Sequence, residues 1–577
     1  TETDMAIGPR PWLPIEEGGD KIFSYSISDA SGVGVYRVDR GTARERAINW
    51  ERLRDIMADT AIAKSAHNAK YEIAVSATNG VIVPAETVWL DTMIASQELR
   101  NDGRHGLERL CEELFGFTTT LGRNIDSEIH DMAVEYGGFH RVPEKEMYDY
   151  QIADGQRGWM LTEFLIPKVK AKGRAAWRNY LSEIATITPT EALQRAGVMI
   201  DKHRAMALIS GCEGEILRVR EQVFEMFGEW INLGSTQQLS DILFRRLRLP
   251  VLRYKPKTGA PDTTAAVVDD MAERFPHPVF DLIHRHRSYT KGKGIVTGYI
   301  RETDSHGRVH TDLQSNVALT GRQSSKRPNL QNVSKREKAN VKYPIPARSC
   351  FVPDPSCDLY AFDYSGIELR LIAFASGDEG MISIIRSGGD GHDTACRIFY
   401  GGAFTREQRK SSGKNAHFAL AYGAGMAQIA VTACVDVATF RPRHDEYRLR
   451  FPGIAMFSSS LIAEVNKNGG ITPPFGRFLR IPRALAFKSA NYMIQHIAAV
   501  ILKRAEVAVH AYLSSQWSGR AWLILPVHDE LVFNVHRGLT YDERVRLLHG
   551  IRERMIHIDG VSVPLEVDAE MSGTTWA

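Results

Sequence analysis

The chain has 577 residues, too many for a single hydrophobic core, so we expect several domains. Its 72 Lys and Arg nearly balance its 69 Asp and Glu, so any binding of a charged partner must be inferred from local patterns rather than from net charge. No apolar run approaches the roughly 18 residues of a membrane-spanning helix, and no two of the six cysteines form a CxxC pair. These features argue against a membrane protein and a zinc knuckle, and they predict a cytoplasmic protein with reduced cysteines.

The N-terminal third of the sequence predicts a mixed α/β domain. Residues 22–37 alternate in hydrophobicity and contain Val, Ile, Tyr and Phe, which predicts a β-hairpin. Residues 65–110 mix apolar runs with helical patterns, and helical periodicity dominates from there to about residue 189.

The middle of the chain predicts long helices followed by an irregular stretch. Helices are expected over 190–245, where a Ser-x-x-Gln capping box begins at Ser235, and over 278–303. Residues 306–346 are polar and show little periodicity, and a stretch of that length is usually functional or disordered. Strands and helices alternate again from residue 347 onward.

Two aspartates follow apolar runs in the C-terminal part. A short strand ends at Asp363, and residues 523–533 predict a hairpin with Asp529 at its tip. An aspartate in such a place is often only a helix cap or a turn former. Alternatively, two carboxylates that meet across a sheet hold two Mg²⁺ ions about 3.5–4 Å apart.

A helix-like stretch between the two aspartates carries Lys410, Lys414, Phe418 and Tyr422, spaced four residues apart and followed by Gly423. This spacing places the four side chains on one slowly drifting stripe. Lysines on a helix usually form a solvated face, and an aromatic stripe usually belongs to a core. A stripe that is basic at one end and aromatic at the other better fits a bound nucleotide, with cations at its phosphates and rings against its sugar and base.

Three segments carry a recognisable family pattern. Residues 363–370 read DYSGIELR, residues 410–423 contain the basic and aromatic stripe, and residues 527–530 read VHDE. In this order they resemble motifs A, B and C of family A DNA polymerases, the polymerase I-like enzymes of large-fragment type. The resemblance is dense over about 190–577, and the further matching segments are 320–325, 328–332, 476–477, 491–495 and 573–576.

The resemblance implies an α/β multidomain fold in which an RNase H-like exonuclease domain precedes a right-hand polymerase. The implied domains are a 3′–5′ exonuclease-like domain (1–185), the thumb and start of the palm with template–primer contacts (186–345), the palm with motif A (346–380), the fingers with motif B (381–465) and the palm with motif C (466–577).

The same resemblance implies template-directed addition of deoxynucleotides to a primer 3′ end by two-metal phosphoryl transfer. Asp363 and Asp529 become the ligands of two Mg²⁺ ions, Lys414 meets the triphosphate, and Glu530 lines the primer terminus. The implied nucleotide contacts are Lys410, Arg409, His392, Phe418, Tyr422 and Glu368, the last as a steric gate against ribose. The implied DNA contacts are Arg322, Asn329, Gln331, Asn491, Gln495, His528 and Arg477.

The implied partners are primer–template DNA and deoxynucleoside triphosphates, for a monomer in the cytoplasm of a bacterium or a phage-infected cell. Three positions depart from the family pattern. Lys410 replaces an arginine and cannot grip phosphate bidentately, Gly366 stands where Gln is frequent, and His496 stands where Gly is usual.

The first domain resembles the family's 3′–5′ exonuclease more loosely. Its candidate site residues are Glu2, Glu72, Tyr150 and Asp154. The aspartate of the first exonuclease motif would fall before residue 1 unless Asp4 substitutes for it, and Glu72 is one methylene longer than the usual aspartate. Because a misplacement of about 1 Å can cost about 10²-fold in rate, two alternatives stay open. The domain is either a proofreading exonuclease with two further Mg²⁺ ions or a degenerate scaffold.

Other functions compete with the polymerase prediction. An exonuclease whose polymerase half only binds DNA, or a non-catalytic accessory subunit, would have little reason to keep Asp363, Asp529 and Lys414. A single-subunit RNA polymerase shares the palm design, but Glu368 and the His-Asp-Glu tip favour deoxynucleotides.

Overall fold

The computed structural model describes residues 2–3 (backbone only), 12–13, 15, 19–101, 103–116, 125–315, 317–333, 342–573 and 575–576. Within the residues that the structure describes, the chain folds into two compact units. The first unit comprises Thr1–Ala196, Asp312–Lys326 and Tyr360–Glu570, and the second comprises Gly197–Thr311, Arg327–Leu359 and Met571–Ala577. None of the described helices is both long and apolar enough to cross a membrane.

The N-terminal part of the first unit is mixed α/β, as predicted. Its strands are β1 (Glu2–Thr3), β2 (Ile22–Asp29), β3 (Gly32–Arg37), β4 (Lys64–Ala66) and β5 (Trp89–Asp91). Its helices are α1 (Ala43–Ala58), α2 (Ala69–Thr78), α3 (Thr92–Leu99), α4 (Leu107–Phe115), α5 (Ile125–Tyr136), α6 (Glu144–Ala171), α7 (Arg174–Ala185) and α8 (Ile187–Ala196). Strands β1-β2-β3 form an antiparallel sheet and β4-β5 a parallel pair. The predicted hairpin is confirmed, because the β2–β3 register pairs Asp29 with Gly32 across a two-residue turn.

The second unit is mainly helical. Its elements are β6 (Val198–Met199), α9 (Lys202–Phe227), α10 (Thr236–Ser240), a π-helix (Asp241–Arg246), α11 (Ala265–Arg274), α12 (Pro278–Arg301), β7 (Arg308–Val309) and a 3₁₀ helix (Ala347–Cys350). The helix predicted over 278–303 is therefore α12, which pairs with α9. Two ion pairs join these helices, Arg285 to Glu215 at 2.9 Å and Lys293 to Glu213 at 2.7 Å.

The predicted capping box at Ser235 is only half formed. The Ser235 hydroxyl accepts the backbone N–H of Gln238 at 3.4 Å, as a cap should. However, the Gln238 side chain accepts the N–H of Asn232 at 2.7 Å. The loop that precedes the helix therefore curls far enough to offer a different donor, which the local sequence pattern did not indicate.

The C-terminal part of the first unit is built on one sheet with the strand order β13-β14-β10-β15. The strands of this part are β8 (Asp312–Gln314), β9 (Ser324–Lys326), β10 (Cys357–Tyr364), β11 (Gly470–Ile471), β12 (Leu479–Arg480), β13 (Ala521–Val527), β14 (Glu530–His536) and β15 (Val567–Gly573). Its helices are α13 (Ile367–Ser376), α14 (Glu379–Arg386), α15 (Gly391–Tyr400), α16 (Lys414–Ala421), α17 (Met426–Thr432), α18 (Val437–Arg450), α19 (Pro452–Asn468), α20 (Ser489–Gln516) and α21 (Tyr541–Ile556).

The four-stranded sheet and its helices share the largest core of the described chain. Strand β10 is buried along almost its whole length, and Phe362 packs edge-on against Phe533 of β14 with ring centroids 5.4 Å apart. The irregular stretch predicted over 306–346 contains only strands of two or three residues and no helix in its described portion.

A buried ionic cluster joins the N-terminal and C-terminal parts of the first unit. Arg477 is completely buried, and its Nε lies 2.9 Å from Glu98 on α3. Its Nη2 lies 3.6 Å from Glu183 on α7, which also accepts a hydrogen bond from Lys503 of α20 at 2.6 Å. Because each of these charges has lost its water, each depends on its partners for stabilisation.

We predict that Glu183→Gln lowers the thermal midpoint strongly, because it leaves Lys503 and Arg477 buried with less compensating charge. Removing one partner of a buried ion pair typically costs about 3–5 kcal/mol. A matched control is Glu112→Gln, which breaks a 3.2 Å pair with Arg109 whose side chains are both more than half exposed. That change should cost less than about 1 kcal/mol. Equal shifts in differential scanning calorimetry would show that the buried cluster is not a stabilising element.

Candidate active site

Asp363 and Asp529 lie at the same end of the four-stranded sheet. Asp363 is near the end of β10, and Asp529 is in the turn that joins β13 to β14, the strand next to β10. The backbone N–H of Tyr364 donates to the carbonyl oxygen of Asp529 at 3.2 Å, which fixes the two segments beside each other. Both aspartates are partly exposed at this edge. The two apolar runs are therefore strands of one sheet, and the aspartate after each run lies at the same end of it.

The hairpin that carries Asp529 has a two-residue turn. Val527 pairs with Glu530, so His528 and Asp529 form the tip. His528 has φ of +58°, a left-handed conformation that usually requires glycine at the first turn position. Non-glycine residues held in such conformations cluster at functional sites, where the fold stabilises them. The tip exposes His528, leaves Asp529 half-buried and buries Glu530.

The basic and aromatic stripe forms one helical face, as predicted. A π-helical stretch over Gln408–Gly413 contains Lys410 and continues directly into α16. Lys414 lies over the ring of Phe418, with 5.7 Å between Nζ and the centroid, and the rings of Phe418 and Tyr422 stack 6.3 Å apart. Both lysines are exposed and both aromatic residues are half-buried. The helix ends at Tyr422, and Gly423 follows with φ of +83°.

Arg409 does not take the place of the arginine that Lys410 replaces. Its guanidinium bonds the carboxylates of both Asp390 and Asp393 at the start of α15. The Arg409 side chain is therefore held within the fold, whereas the Lys410 side chain is exposed.

His392, on the first turn of α15, lies beside the stripe. Its ring packs edge-on against Phe418 with 4.8 Å between centroids, and its Nδ1 lies 3.0 Å from Nδ1 of His417. Burial, reinforced by the charge of Lys414, lowers the pKa of His392 to about 4, so the imidazole is neutral at neutral pH.

A hydrogen bond connects the helix after β10 to the end of α16. The hydroxyl of Tyr422 donates to the carboxylate of Glu368, on the first turn of α13. Burial raises the pKa of Tyr422, and the bond to Glu368 raises it further. The two residues predicted to meet the sugar and the base are thus held to each other.

Comparison with known protein families shows which family the chain belongs to. The family model described as DNA polymerase family A matches residues 202–577, more than half of the sequence. The chain belongs to DNA polymerase family A. A second model, described as 3'-5' exonuclease, matches residues 17–170.

Individual relatives agree with this membership. DNA polymerase I of Pseudomonas aeruginosa is 31% identical over 543 residues, which cover 91% of this chain and 57% of that protein. DNA polymerase I of Chloroflexus aurantiacus is 30% identical over 535 residues, covering 89% and 54%. The chain thus spans little more than half the length of these relatives. The POL domain of Pol1 from M. smegmatis, in complex with DNA primer-template and dNTP, superposes with a TM-score of 0.78 at 26% identity, covering 96% of this chain and 93% of that one.

These similarities confirm the predicted fold class, an exonuclease domain followed by a family A polymerase domain. The residues predicted to contact DNA are distributed between the two compact units. Arg322, Asn491 and Gln495 belong to the first unit, where the Gln495 amide donates to Asn491 at the start of α20. Asn329 and Gln331 belong to the second, where the Asn329 side chain accepts the Gln331 N–H at 3.1 Å.

The DNA contact predicted for Arg477 is corrected by the structure. Its guanidinium is completely buried and pairs with Glu98 in the ionic cluster, so it is not on a surface that DNA can reach. A buried arginine needs carboxylate partners to offset its lost hydration. The sequence could not show this, because Glu98 lies in a distant segment of the chain.

The exonuclease-like part of this family A chain brings some of its predicted residues together. Glu2 pairs with Ser24 in the sheet, and Ser24 accepts a hydrogen bond from Gln151, the neighbour of Tyr150 on α6. Asp154 follows one turn later on the same helix. The side chain of Glu2 lies outside the described residues, as does the alternative Asp4. Glu72 is half-buried on α2.

Sequence reasoning missed an arginine in this region. Arg157 Nη1 lies 2.8 Å from Asp154, and the same guanidinium bonds both carboxylate oxygens of Asp126 at 2.9 and 2.8 Å. Burial raises the pKa of Asp154 to about 6, although the positive charge of Arg157 opposes that rise. The spacing of three residues between Asp154 and Arg157 on a helix was a readable signal for this pair.

Proposed function

We propose that the protein is a template-directed DNA polymerase that adds deoxynucleotides to a primer 3′ end by two-metal phosphoryl transfer. One observation carries the proposal. Asp363 and Asp529 lie on adjacent segments at one end of a sheet, joined by a backbone hydrogen bond, in the same compact unit as a helical face that is basic at one end and aromatic at the other. Membership of family A supports the assignment of these parts to one reaction.

The donor set at the sheet edge fits divalent metal ions, which family A polymerases generally use. Carboxylate oxygens are the ligands that Mg²⁺ prefers, and Mg²⁺ usually binds one or two carboxylates plus substrate phosphates. No group of three or more His, Cys, Asp or Glu side chains within the described ranges is arranged to hold a metal. Asp363 and Asp529 would therefore share two Mg²⁺ ions with the triphosphate. When bound, the ions activate the primer 3′-hydroxyl and stabilise the leaving pyrophosphate.

The stripe positions the incoming nucleotide. Lys414 and Lys410 neutralise the triphosphate, and Lys414 supplies a proton to the departing pyrophosphate. Phe418 packs against the sugar and base, and His392 meets the phosphates from the other side of that ring. Because Lys410 is a point charge rather than a planar fork, the phosphate grip at this end depends on charge more than on geometry.

Glu368 and Tyr422 select the sugar. The Tyr422 hydroxyl holds the Glu368 carboxylate in one place, so that the carboxylate obstructs a ribose 2′-hydroxyl. Selection of deoxynucleotides is then steric, and the hydrogen bond between the two residues keeps the obstruction rigid.

Primer–template DNA is the macromolecular partner. Arg322, Asn491 and Gln495 donate to minor-groove acceptors, which are nearly alike for all base pairs and so suit an enzyme that copies any sequence. His528 and Glu530 at the hairpin tip line the primer terminus. The relatives are bacterial, which supports action in a bacterial cytoplasm. Action as a monomer, there or in a phage-infected cell, is part of the proposal.

A second inference concerns the exonuclease-like domain, which we propose is catalytically silent. Arg157 pairs with Asp154 and with Asp126, each at 2.8 Å, so the predicted exonuclease carboxylate of Asp154 is already engaged by a positive charge. Exonuclease sites of the two-metal kind need their carboxylates free for the ions. The same observation argues against a pure exonuclease whose polymerase half only binds DNA.

Replacing Asp529 with Asn should abolish primer extension, by more than about 10²-fold, because a neutral amide no longer anchors the metals that stabilise the developing charge. Extension of a labelled primer with Mg²⁺ and all four deoxynucleotides measures the effect. Asp542→Asn is the matched control, since Asp542 is an exposed residue on the helix that follows the same hairpin. Full activity of the Asp529 variant, with DNA binding intact in both, would exclude the two-metal assignment.

Glu368→Ala should raise the ratio of ribonucleotide to deoxynucleotide incorporation by at least about tenfold, because the group that obstructs the 2′-hydroxyl is removed. Glu368→Gln keeps the volume and should change the ratio much less. Tyr422→Phe should give an intermediate ratio, since the carboxylate stays but is no longer held. Single-nucleotide insertion kinetics with each sugar provide the measurement, and an unchanged ratio in the Ala variant would remove Glu368 as the gate.

Incubation of the intact protein with end-labelled single-stranded DNA and Mg²⁺, without nucleotides, should leave the 3′ end undegraded. Asp154→Asn controls for contaminating nucleases, because it removes the predicted exonuclease carboxylate and leaves the polymerase site intact. Degradation by the unmodified protein that disappears in the Asp154 variant would instead establish a proofreading enzyme, and the position of Arg157 would then not prevent metal binding.

A further inference from the structure

Three buried side chains form a hydrogen-bonded chain behind the nucleotide stripe. Tyr447 on α18 lies with its hydroxyl 2.6 Å from Nε2 of His417 on α16. Nδ1 of His417 lies 3.0 Å from Nδ1 of His392 on α15. Tyr447 and His417 are completely buried and His392 is 6% exposed. This series of hydrogen bonds therefore lies in the interior and ends at His392, the ring that packs against Phe418.

Burial of the Tyr447 hydroxyl decides which groups donate and which accept in these hydrogen bonds. Within the part of the chain that the structure describes, the Tyr447 hydroxyl has no hydrogen-bond partner other than Nε2 of His417. A buried O–H that donates to nothing is costly, whereas a hydroxyl oxygen loses less when it accepts nothing. The hydroxyl of Tyr447 therefore donates, and Nε2 of His417 accepts.

The two imidazoles are neutral, so each carries one N–H. Burial holds the pKa of His417 well below its usual range and lowers the pKa of His392 to about 4. Because Nε2 of His417 accepts from Tyr447, its proton is on Nδ1, and that N–H donates to Nδ1 of His392. The proton of His392 must then be on Nε2.

If the hydrogen bonds ran in the opposite direction, His392 would present a lone pair at Nε2 instead of an N–H. If Nε2 of His417 donated to Tyr447, then Nδ1 of His392 would carry the proton and Nε2 would present a lone pair. Nε2 of His392 is buried and has no hydrogen-bond partner among the described residues. The His392 ring packs against Phe418 and is close enough to Lys414 for that charge to lower its pKa. Toward a triphosphate bound at the stripe, a lone pair on Nε2 would repel phosphate oxygens, whereas an N–H would bind them.

We propose that Tyr447 and His417 are positioning residues that hold His392 as its Nε2–H tautomer, so that a neutral imidazole donates a hydrogen bond to the triphosphate. This inference rests on the proposed polymerase function for its ligand, but not for the tautomer itself. The neighbouring charges are already engaged, since Arg409 bonds Asp390 and Asp393 on either side of His392. The hydrogen-bonded series Tyr447–His417–His392, called the relay below, supplies a hydrogen-bond donor. It does so without adding a fourth positive charge beside Arg409, Lys410 and Lys414.

The first test measures the tautomer directly, without substrate. Nitrogen-15 NMR of the intact, histidine-labelled protein distinguishes a protonated from an unprotonated ring nitrogen, and His392→Gln assigns the resonance. We expect His392 protonated at Nε2 and His417 protonated at Nδ1. In Tyr447→Phe the preference should be lost, because His417 no longer has a donor at Nε2. Protonation of His392 at Nδ1 in the unmodified protein would overturn the proposal, whether or not the protein is a polymerase.

The second test asks whether Tyr447 acts through His392. Tyr447→Phe should raise KM for deoxynucleotides about 3- to 10-fold and change kcat by less than about twofold, since it weakens a contact made by the bound substrate. In the His392→Gln background the same substitution should change KM by less than about twofold. An equal effect in both backgrounds would show a merely structural role and would reject the relay.

Tyr400→Phe is the matched control for lost packing. Its hydroxyl also makes buried contacts near the same helix, to Ser412 at 2.8 Å and to the carbonyl of Ala433 at 3.1 Å, but it does not bond either histidine. This variant should leave the His392 tautomer unchanged. A tautomer change in Tyr400→Phe as large as in Tyr447→Phe would count against the specific relay. Absence of polymerase activity in every variant and in the unmodified protein, with the expected tautomer present, would reject only the proposed function.

Discussion

The backbone pairing between β10 and the β13–β14 hairpin is the constraint on which the site depends. The N–H of Tyr364 donates to the carbonyl oxygen of Asp529, so two aspartates that are far apart in sequence lie on adjacent segments at one end of the sheet. The strands are buried and apolar up to that edge, so hydrophobic packing fixes their register and leaves the polar residues at the end. Eight α-helices, α13 to α20, lie between β10 and β13 in the sequence, and α16 among them carries most of the stripe.

The inserted helices are linked to the sheet edge by polar contacts inside an apolar core. Tyr422 bonds Glu368 at one end of α16, and His417 bonds Tyr447 and His392 along its buried side. Polar groups buried in this way specify one arrangement, since any other packing would leave donors unpaired. The exposed side of the same helix presents Lys410 and Lys414. One helix thus separates an exposed, positively charged surface from an interior that fixes the orientation of its neighbours.

Buried ion pairs connect the exonuclease-like part to the C-terminal part of the same compact unit. Glu98 and Glu183 hold Arg477 and Lys503, so helices α3 and α7 are tied to the residues around the long helix α20. Arg157 holds Asp154 and Asp126 in a similar buried arrangement. Burial raises the pKa of Glu98 and of Asp154, and the neighbouring arginine opposes that rise in each case. In both clusters an arginine therefore links carboxylates that come from two different helices.

Local pattern in the sequence determined the β2–β3 hairpin, helix α12, the β13–β14 hairpin and the stripe from Lys410 to Tyr422, because each follows from periodicity, turn chemistry or helical spacing within a short window. The order of the motifs also indicated the family and the fold class. Only the tertiary structure decided that Arg477 is buried, that Arg409 binds Asp390, that Arg157 also binds Asp126 and that Tyr447 reaches His417. The reason is physical: a side chain's charge and hydrogen-bonding capacity are set by its own chemistry, but the partner that satisfies them is chosen by which distant segments the fold brings within about 3 Å.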